Sequence, residues 1–190
     1  LLGLVRPTTG SIQVEGQVIG PDPGYRRSIG YMPQISQFPP SLTIGQLLDM
    51  MRDVRGLTPA SADDGLVEEL GLAHQLDKRL GALSGGTRQK VSAVLAFRSR
   101  PRILVMDEPT AGLDPVSART VLDRAAALRS EGGTVLITSH LLEEVEALAD
   151  RIAYLQEGTL RFLLPLNDVL QRSGTDRLAL ALPKLLADPV

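Results

Sequence analysis

The sequence predicts an α/β fold built on a parallel sheet, and three features carry that expectation. The runs Ile103–Met106 and Thr134–Thr138 are nearly continuous in apolar residues, as strands covered on both faces are. Stretches with apolar residues at helical spacing lie between and around them, from Ser84-Gly85-Gly86 to about Arg98, from Pro115 to Ser130 and from Leu141 to Ala149. The steady alternation of helix and strand from Ser84 onward is the pattern of parallel crossovers.

Taken in order, Leu1-Leu2-Gly3-Leu4-Val5 reads as the tail of an apolar helix whose start lies upstream, so the 190 residues are expected to be a fragment. Ser11 to Ile19 alternates apolar and polar residues around Gly16, which predicts a small antiparallel hairpin. Ser28 to Met32 reads as a short buried strand ended by Pro33, which leaves Gln34 in a loop. Thr43 can cap a helix through Arg55 that places Ile44, Leu47, Leu48, Met51 and Val54 on one face and closes at Gly56. A second helix is expected from about Ala62 to Leu70, stopped by Gly71. Residues 35–83 thus form a mostly helical insert. Gly132-Gly133 end the helix before Thr134. After Ala149 come a strand at Arg151–Leu155, a turn at Glu157-Gly158 and a last strand at Leu160–Leu163. Residues 164–190 show some leucine periodicity and are assigned no role.

Composition narrows the functional classes. Twenty basic and twenty-two acidic side chains give a net charge of -2, so no basic field for nucleic acid exists. The chain has no cysteine, which removes disulfides, thiolate metal sites and cysteine nucleophiles and suits the cytosol. No apolar run approaches the ~20 residues that cross a bilayer.

The chemistry sits in a few short segments. Asp107 and Glu108 end a strand at the place where open α/β sheets hold their ligands. Adjacent residues of an extended chain point in opposite directions, so the two carboxylates divide labour. One can hold magnesium through water while the other polarises an attacking water. The pair alone reads equally well as a solvated acidic loop. Ser84-Gly85-Gly86 opens a helix, where exposed N–H groups and the helix dipole favour a phosphate, although a plain capped helix would look the same. His140, just past the second strand, could donate to a phosphate oxygen, and Gln34 could position a metal-bound water. Each has a bland reading as an ordinary loop residue.

Their order removes that independence. Tyr31-Met32-Pro33-Gln34, Leu83-Ser84-Gly85-Gly86-Thr87-Arg88-Gln89, Ile103 to Asp107-Glu108-Pro109-Thr110, Ala111-Gly112-Leu113-Asp114 and Thr138-Ser139-His140 follow one another in the sequence. The series resembles the nucleotide-binding domain of ABC transporters, with its Q-loop, signature, Walker B, D-loop and H-loop motifs in that order, over residues 1–163. The resemblance implies a P-loop NTPase-like parallel core with a small antiparallel part and a helical subdomain at about 35–83. It implies two such domains, a homodimer, sandwiching ATP. Asp107 would order Mg²⁺, Glu108 would be the general base, His140 would contact the γ-phosphate, and Gln34 would link metal and membrane partner. Ser84, Gly85 and Gly86 would bind ATP held by the opposite protomer, and Asp114 would sit at the dimer seam. The insert would receive a transmembrane permease subunit, so the protein would lie on the cytoplasmic face of the cell membrane and power transport.

Three departures stand out. Thr87 replaces the glutamine that commonly follows Ser-Gly-Gly. None of the three lysines, Lys78, Lys90 and Lys184, follows a glycine, so G-x-x-x-x-G-K-[ST] does not occur in these residues. The adenine-stacking aromatic residue of the family is also missing. These residues alone are therefore expected to show no ATPase activity. Tyr31–Gln34, Gly45–Gly56 and Leu83–Ala93 look most like ATPases of ABC-2-type exporters and are similar to the copper-maturation ATPase of nitrous oxide reductase systems. The alternative is an ABC-type ATPase of DNA repair or translation, but residues 35–83 lack heptads and the charge does not favour nucleic acid.

Overall fold

The computed structural model describes residues 1–187, which form two compact units, Leu1–Leu136 and the residues from Ile137 onward. The first unit opens without the expected helix: residues 3–5 are a bend, and Gly3 adopts φ 75°. Five residues are too few to offset helix nucleation. The Tyr25 hydroxyl instead donates to the Leu1 carbonyl at 2.8 Å.

The hairpin forms as expected, from β1 (Gln13–Val14) and β2 (Gln17–Val18). Its two-residue loop needs positive φ at both positions, which Glu15 at 50° and Gly16 at 78° supply. A short 3₁₀ helix at Pro23–Ser28 leads into β3 (Ile29–Met32). The strand pairs in parallel with β4 (Ile103–Asp107), Ile29 opposite Ile103 and Met32 opposite Met106. With β5 (Thr134–Thr138) these make a three-stranded sheet in the order β3-β4-β5.

Helix α1 (Ile44–Arg55) starts in a full capping box, since Thr43 accepts from the Gln46 amide and Gln46 accepts from Thr43 N–H, and ends at Gly56 in the left-handed region. Ile44, Leu47 and Leu48 are buried as expected, but Val54 is 74% exposed. Ten residues of drift at 3.6 per turn carry it off the buried stripe. Helix α2 is shorter than expected, Gly65–Glu69, because Asp63 and Asp64 are engaged elsewhere: Asp63 accepts from the Gly65 amide and Asp64 pairs with Arg98. The insert 35–83 contains only these helices and 3₁₀ turns at Ala73–Gln75 and Leu80–Ala82, besides an isolated bridge between Thr43 and Arg79.

Helix α3 (Gly85–Phe97) packs on β3 and also meets α1 and α2. Its closeness to β3 depends on Gly30, where a Cβ would come 2.1 Å from the Ala96 carbonyl oxygen. Val91 and Val94 of α3 and Leu104 and Met106 of β4 are fully buried, each stabilising by roughly 1.5–3 kcal/mol. Helix α4 (Pro115–Ser130) follows, capped by Asp114. The prediction of strands covered on both faces holds only in part: β4 buries Leu104 and Met106 while its other residues are half-buried, and Leu136 of β5 is 50% exposed. A cavity of about 990 Å³ opens beside Ile103, Leu128 and Leu136.

The second unit contains α5 (Leu142–Leu148), the antiparallel pair β6 (Arg151–Gln156) and β7 (Thr159–Pro165), α6 (Leu166–Ser173) and α7 (Leu178–Ala187). The tail, assigned no role from its leucine periodicity, forms the last two helices. Val169, Leu178 and Ala181 make a core with Ile152, and Tyr154 stacks on Phe162 with centroids 5.6 Å apart.

Candidate functional site

Strand register assembles the first part of the site. Met32 and Met106 are partners in adjacent parallel strands, so Gln34 and Glu108, each two residues further on, emerge at the same C-terminal edge of the sheet. Gln34 is exposed in its loop, whereas Asp107 and Glu108 are half-buried. Glu108 takes φ 48°, which a non-glycine residue rarely adopts and which marks a place where surroundings hold the backbone. Its carbonyl accepts from Ala111 N–H at 3.1 Å, and that of Thr110 accepts from Leu113 N–H at 3.0 Å, so residues 108–113 form two successive turns.

Helix α3 brings the second part. Ser84 is its N-cap and accepts from the Thr87 amide at 3.2 Å, leaving Ser84 and Gly85 exposed at the positive end of a helix of 13 residues. The departure at Thr87 has a local consequence, a hydroxyl–hydroxyl contact to Ser84 of 2.9 Å. Gly86 lies against the 108–113 turns so closely that a Cβ would meet the Gly112 oxygen at 2.6 Å. Asp114 caps α4 through Ser117, with its amide at 2.9 Å and its hydroxyl at 2.7 Å, and pairs with Lys90 of α3 at 2.9 Å. The Ser117 amide first, then Lys90 and the Ser117 hydroxyl, hold the Asp114 carboxyl well below the usual carboxylate range.

The structure therefore gathers Gln34, Asp107, Glu108, the Ser84-Gly85-Gly86 turn and Asp114 around one edge of the first unit. His140 lies in the second unit, in the loop between β5 and α5, where the neighbouring Ser139 hydroxyl accepts from Leu141 N–H at 3.0 Å. Sequence reasoning overlooked Ser36 and the side chain of Gln89, which are buried and bonded to each other at 3.2 Å. The available signal was spacing: Gly86, Gln89 and Lys90 fall on one face of a helix.

Asp107 and Gln34 suit a Mg²⁺ ion, since both offer hard oxygen donors at the ends of paired strands. Magnesium takes one or two protein oxygens together with substrate phosphates and keeps several waters. Among the described residues no group of three or more His, Cys, Asp or Glu forms an all-protein cage.

A helix N-terminus seated against the loop that follows a carboxylate pair, at the C-terminal edge of a parallel sheet, is an arrangement of an α/β domain suited to phosphate-bearing ligands. The comparisons define it further. The family model for the ABC transporter matches residues 1–111, and the chain belongs to that family. It is 35% identical over 178 residues to the linearmycin resistance ATP-binding protein LnrL of Bacillus subtilis, covering 92% of this chain and 57% of that protein. It is 34% identical over 165 residues to the Nod factor export ATP-binding protein I of Ralstonia nicotianae, covering 83% of this chain and 50% of that one. The chain thus spans about half the length of the curated relatives it matches. A solved structure, described as the ATP binding subunit of an ABC transporter, superposes with a TM-score of 0.90 at 28% identity, covering 97% of this chain and 80% of its own. The α/β class and the ABC ATPase fold are thereby shown.

Proposed function

We propose that the chain is the ATP-binding and ATP-hydrolysing part of an ABC exporter, working as a homodimer with a transmembrane permease on the cytoplasmic face of the cell membrane. The observation that carries this is the meeting of α3's N-terminus with the Glu108–Asp114 loop at the sheet edge that also bears Gln34. Export rather than repair or translation is supported by the relatives, whose names concern linearmycin resistance and Nod factor export. The ATPase domain extends through about residue 163, with residues 35–83 as the subdomain that receives the permease.

In this reading the Glu108 carboxylate takes a proton from water as its oxygen attacks the γ-phosphorus and the bond to the β-phosphate oxygen breaks. The held backbone at Glu108 keeps that carboxylate at a set place, so little reorganisation is needed when the reaction occurs. His140 donates to the γ-phosphate. Ser84, Gly85 and Gly86 of a second copy present N–H groups to the same phosphate, and Asp114 lies at the seam between copies. Asp107 and Gln34 hold Mg²⁺, which when bound supplies neutralisation of the phosphate charge. The 190 residues alone carry no G-x-x-x-x-G-K-[ST] cradle and are expected not to turn over.

The test is Mg²⁺-dependent ATP hydrolysis by the full chain. Glu108→Gln should lower turnover by about 100-fold or more, the contribution of a general base, while ATP-dependent dimerisation persists. Undiminished hydrolysis by that variant, or turnover by the 190 residues alone, would refute the assignment of roles.

A further inference from the structure

Three residues of α3 at positions i, i+3 and i+4 touch the segment that follows Glu108. Gly86 lies against the Gly112 carbonyl, with room for no side chain. Lys90 Nζ stands 2.9 Å from Asp114 Oδ2. Between them Gln89, only 4% exposed, uses both ends of its amide: Oε1 accepts from the Ser36 hydroxyl at 3.2 Å, and Nε2 faces the Pro109 carbonyl in a long contact of 3.5 Å. Ser36 is itself buried, two residues beyond Gln34. A buried amide bonded at both ends cannot be replaced by an apolar side chain without orphaning its partners. Pro109 follows Glu108 directly, and the left-handed Glu108 persists only where its surroundings over-determine it.

We propose that Gln89 is a positioning residue for the hydrolytic step: it holds the Pro109 carbonyl, and through it Glu108, in fixed relation to the Ser36 segment. The segment after Gln34, the α3 helix and the general-base loop then move as one body. In this role Gln89 acts only through Glu108. This rests on the ATPase reading above.

The two limbs can be cut separately in the full chain. Gln89→Glu keeps the acceptor for Ser36 but loses the donor to Pro109, and Ser36→Ala does the opposite. Gln89→Leu cuts both. For Gln89→Leu we expect kcat for ATP to fall by about tenfold or more with KM within about twofold, because displacements under 1 Å at a reacting group suffice for such losses. Gln89→Glu should recover towards wild type as pH falls from 8 to 6, since a buried carboxyl titrates high and its protonated form regains a donor. Ser36→Ala should lower kcat less than Gln89→Leu. Amide hydrogen exchange at Ala111 and Leu113 should quicken in both Gln89 variants whether or not ATP is hydrolysed. Unchanged exchange in the near-isosteric Gln89→Glu, or a Gln89→Leu effect on KM alone, overturns the proposal. A wild-type chain without turnover refutes the ATPase reading instead, and the exchange measurement still decides whether Gln89 seats the loop.

Discussion

Adding one methyl group at Gly86 is the sharpest available test of how helix α3 meets the Glu108–Asp114 loop. The Cβ of Gly86→Ala would stand 2.6 Å from the Gly112 oxygen, about 0.8 Å short of ordinary van der Waals contact. The atom it meets is backbone, so the loop or the helix must shift. Two effects oppose each other in stability. Alanine is favoured over glycine within a helix by about 1 kcal/mol, whereas overpacking costs about 1–3 kcal/mol. The net loss should be near 1 kcal/mol, small enough to leave the protein folded. Activity should respond far more, since a displacement approaching 1 Å beside Glu108 can cost about 100-fold in rate. Denaturant unfolding and steady-state hydrolysis, both on the full chain, separate the two. Gly85→Ala is the comparison for stability, because a Cβ there meets open space and should raise stability by up to about 1 kcal/mol. If Gly86→Ala were as stable as Gly85→Ala and hydrolysed ATP at the wild-type rate, the loop would not be seated on α3 and the reasoning would fail.

Other perturbations probe the frame around the site. At Gly30 a Cβ would strike the Ala96 carbonyl at 2.1 Å and Pro101 at 2.8 Å, so Gly30→Ala should cost about 3 kcal/mol in denaturant unfolding by forcing β3 and α3 apart. Arg98, 6% exposed, donates to the Leu48 carbonyl and, through Nη2 at 3.2 Å, to Asp64; its Nε lies 2.7 Å from Asp64 Oδ1 but off the N–H axis, an ion pair more than a hydrogen bond. Arg98→Leu should cost about 2 kcal/mol, less than breaking a wholly buried pair, because Asp64 is 52% exposed and can rehydrate. The depressed Asp114 carboxyl contributes stability that is present above the ordinary carboxylate range and fades as pH falls below it, since the unfolded chain then binds the extra proton. Asp114→Asn keeps a capping oxygen but no titrating charge, so its unfolding midpoint should depend less on pH between 7 and 3 than that of the wild type. An equal dependence would remove Asp114 from the account.

Much of this protein could be read along the chain because the signals were local. Thr43 and Gln46 close a capping box, Pro115 and Asp114 start α4, and Gly132-Gly133 stop it, all through atoms a few residues apart. The order of the short motifs pointed to the family before any geometry was known. What lay beyond reach were contacts between residues distant in sequence, whose energies depend on where the sheet and helices bring them. Ser36 meets Gln89 across 53 positions, and nothing about either residue type marks it as buried. The exposure of Val54 and Leu136 and the helices after Pro165 follow likewise from which surfaces find a partner. Between Ser11 and Leu163 the sequence by itself determined most of the segments that turn, coil or extend and the short motifs they carry, since those depend on neighbouring backbone groups. Only the tertiary structure decided which faces are covered and which distant side chains meet, as Ser36 and Gln89 do, because burial and long-range hydrogen bonds exist only once the chain has closed on itself.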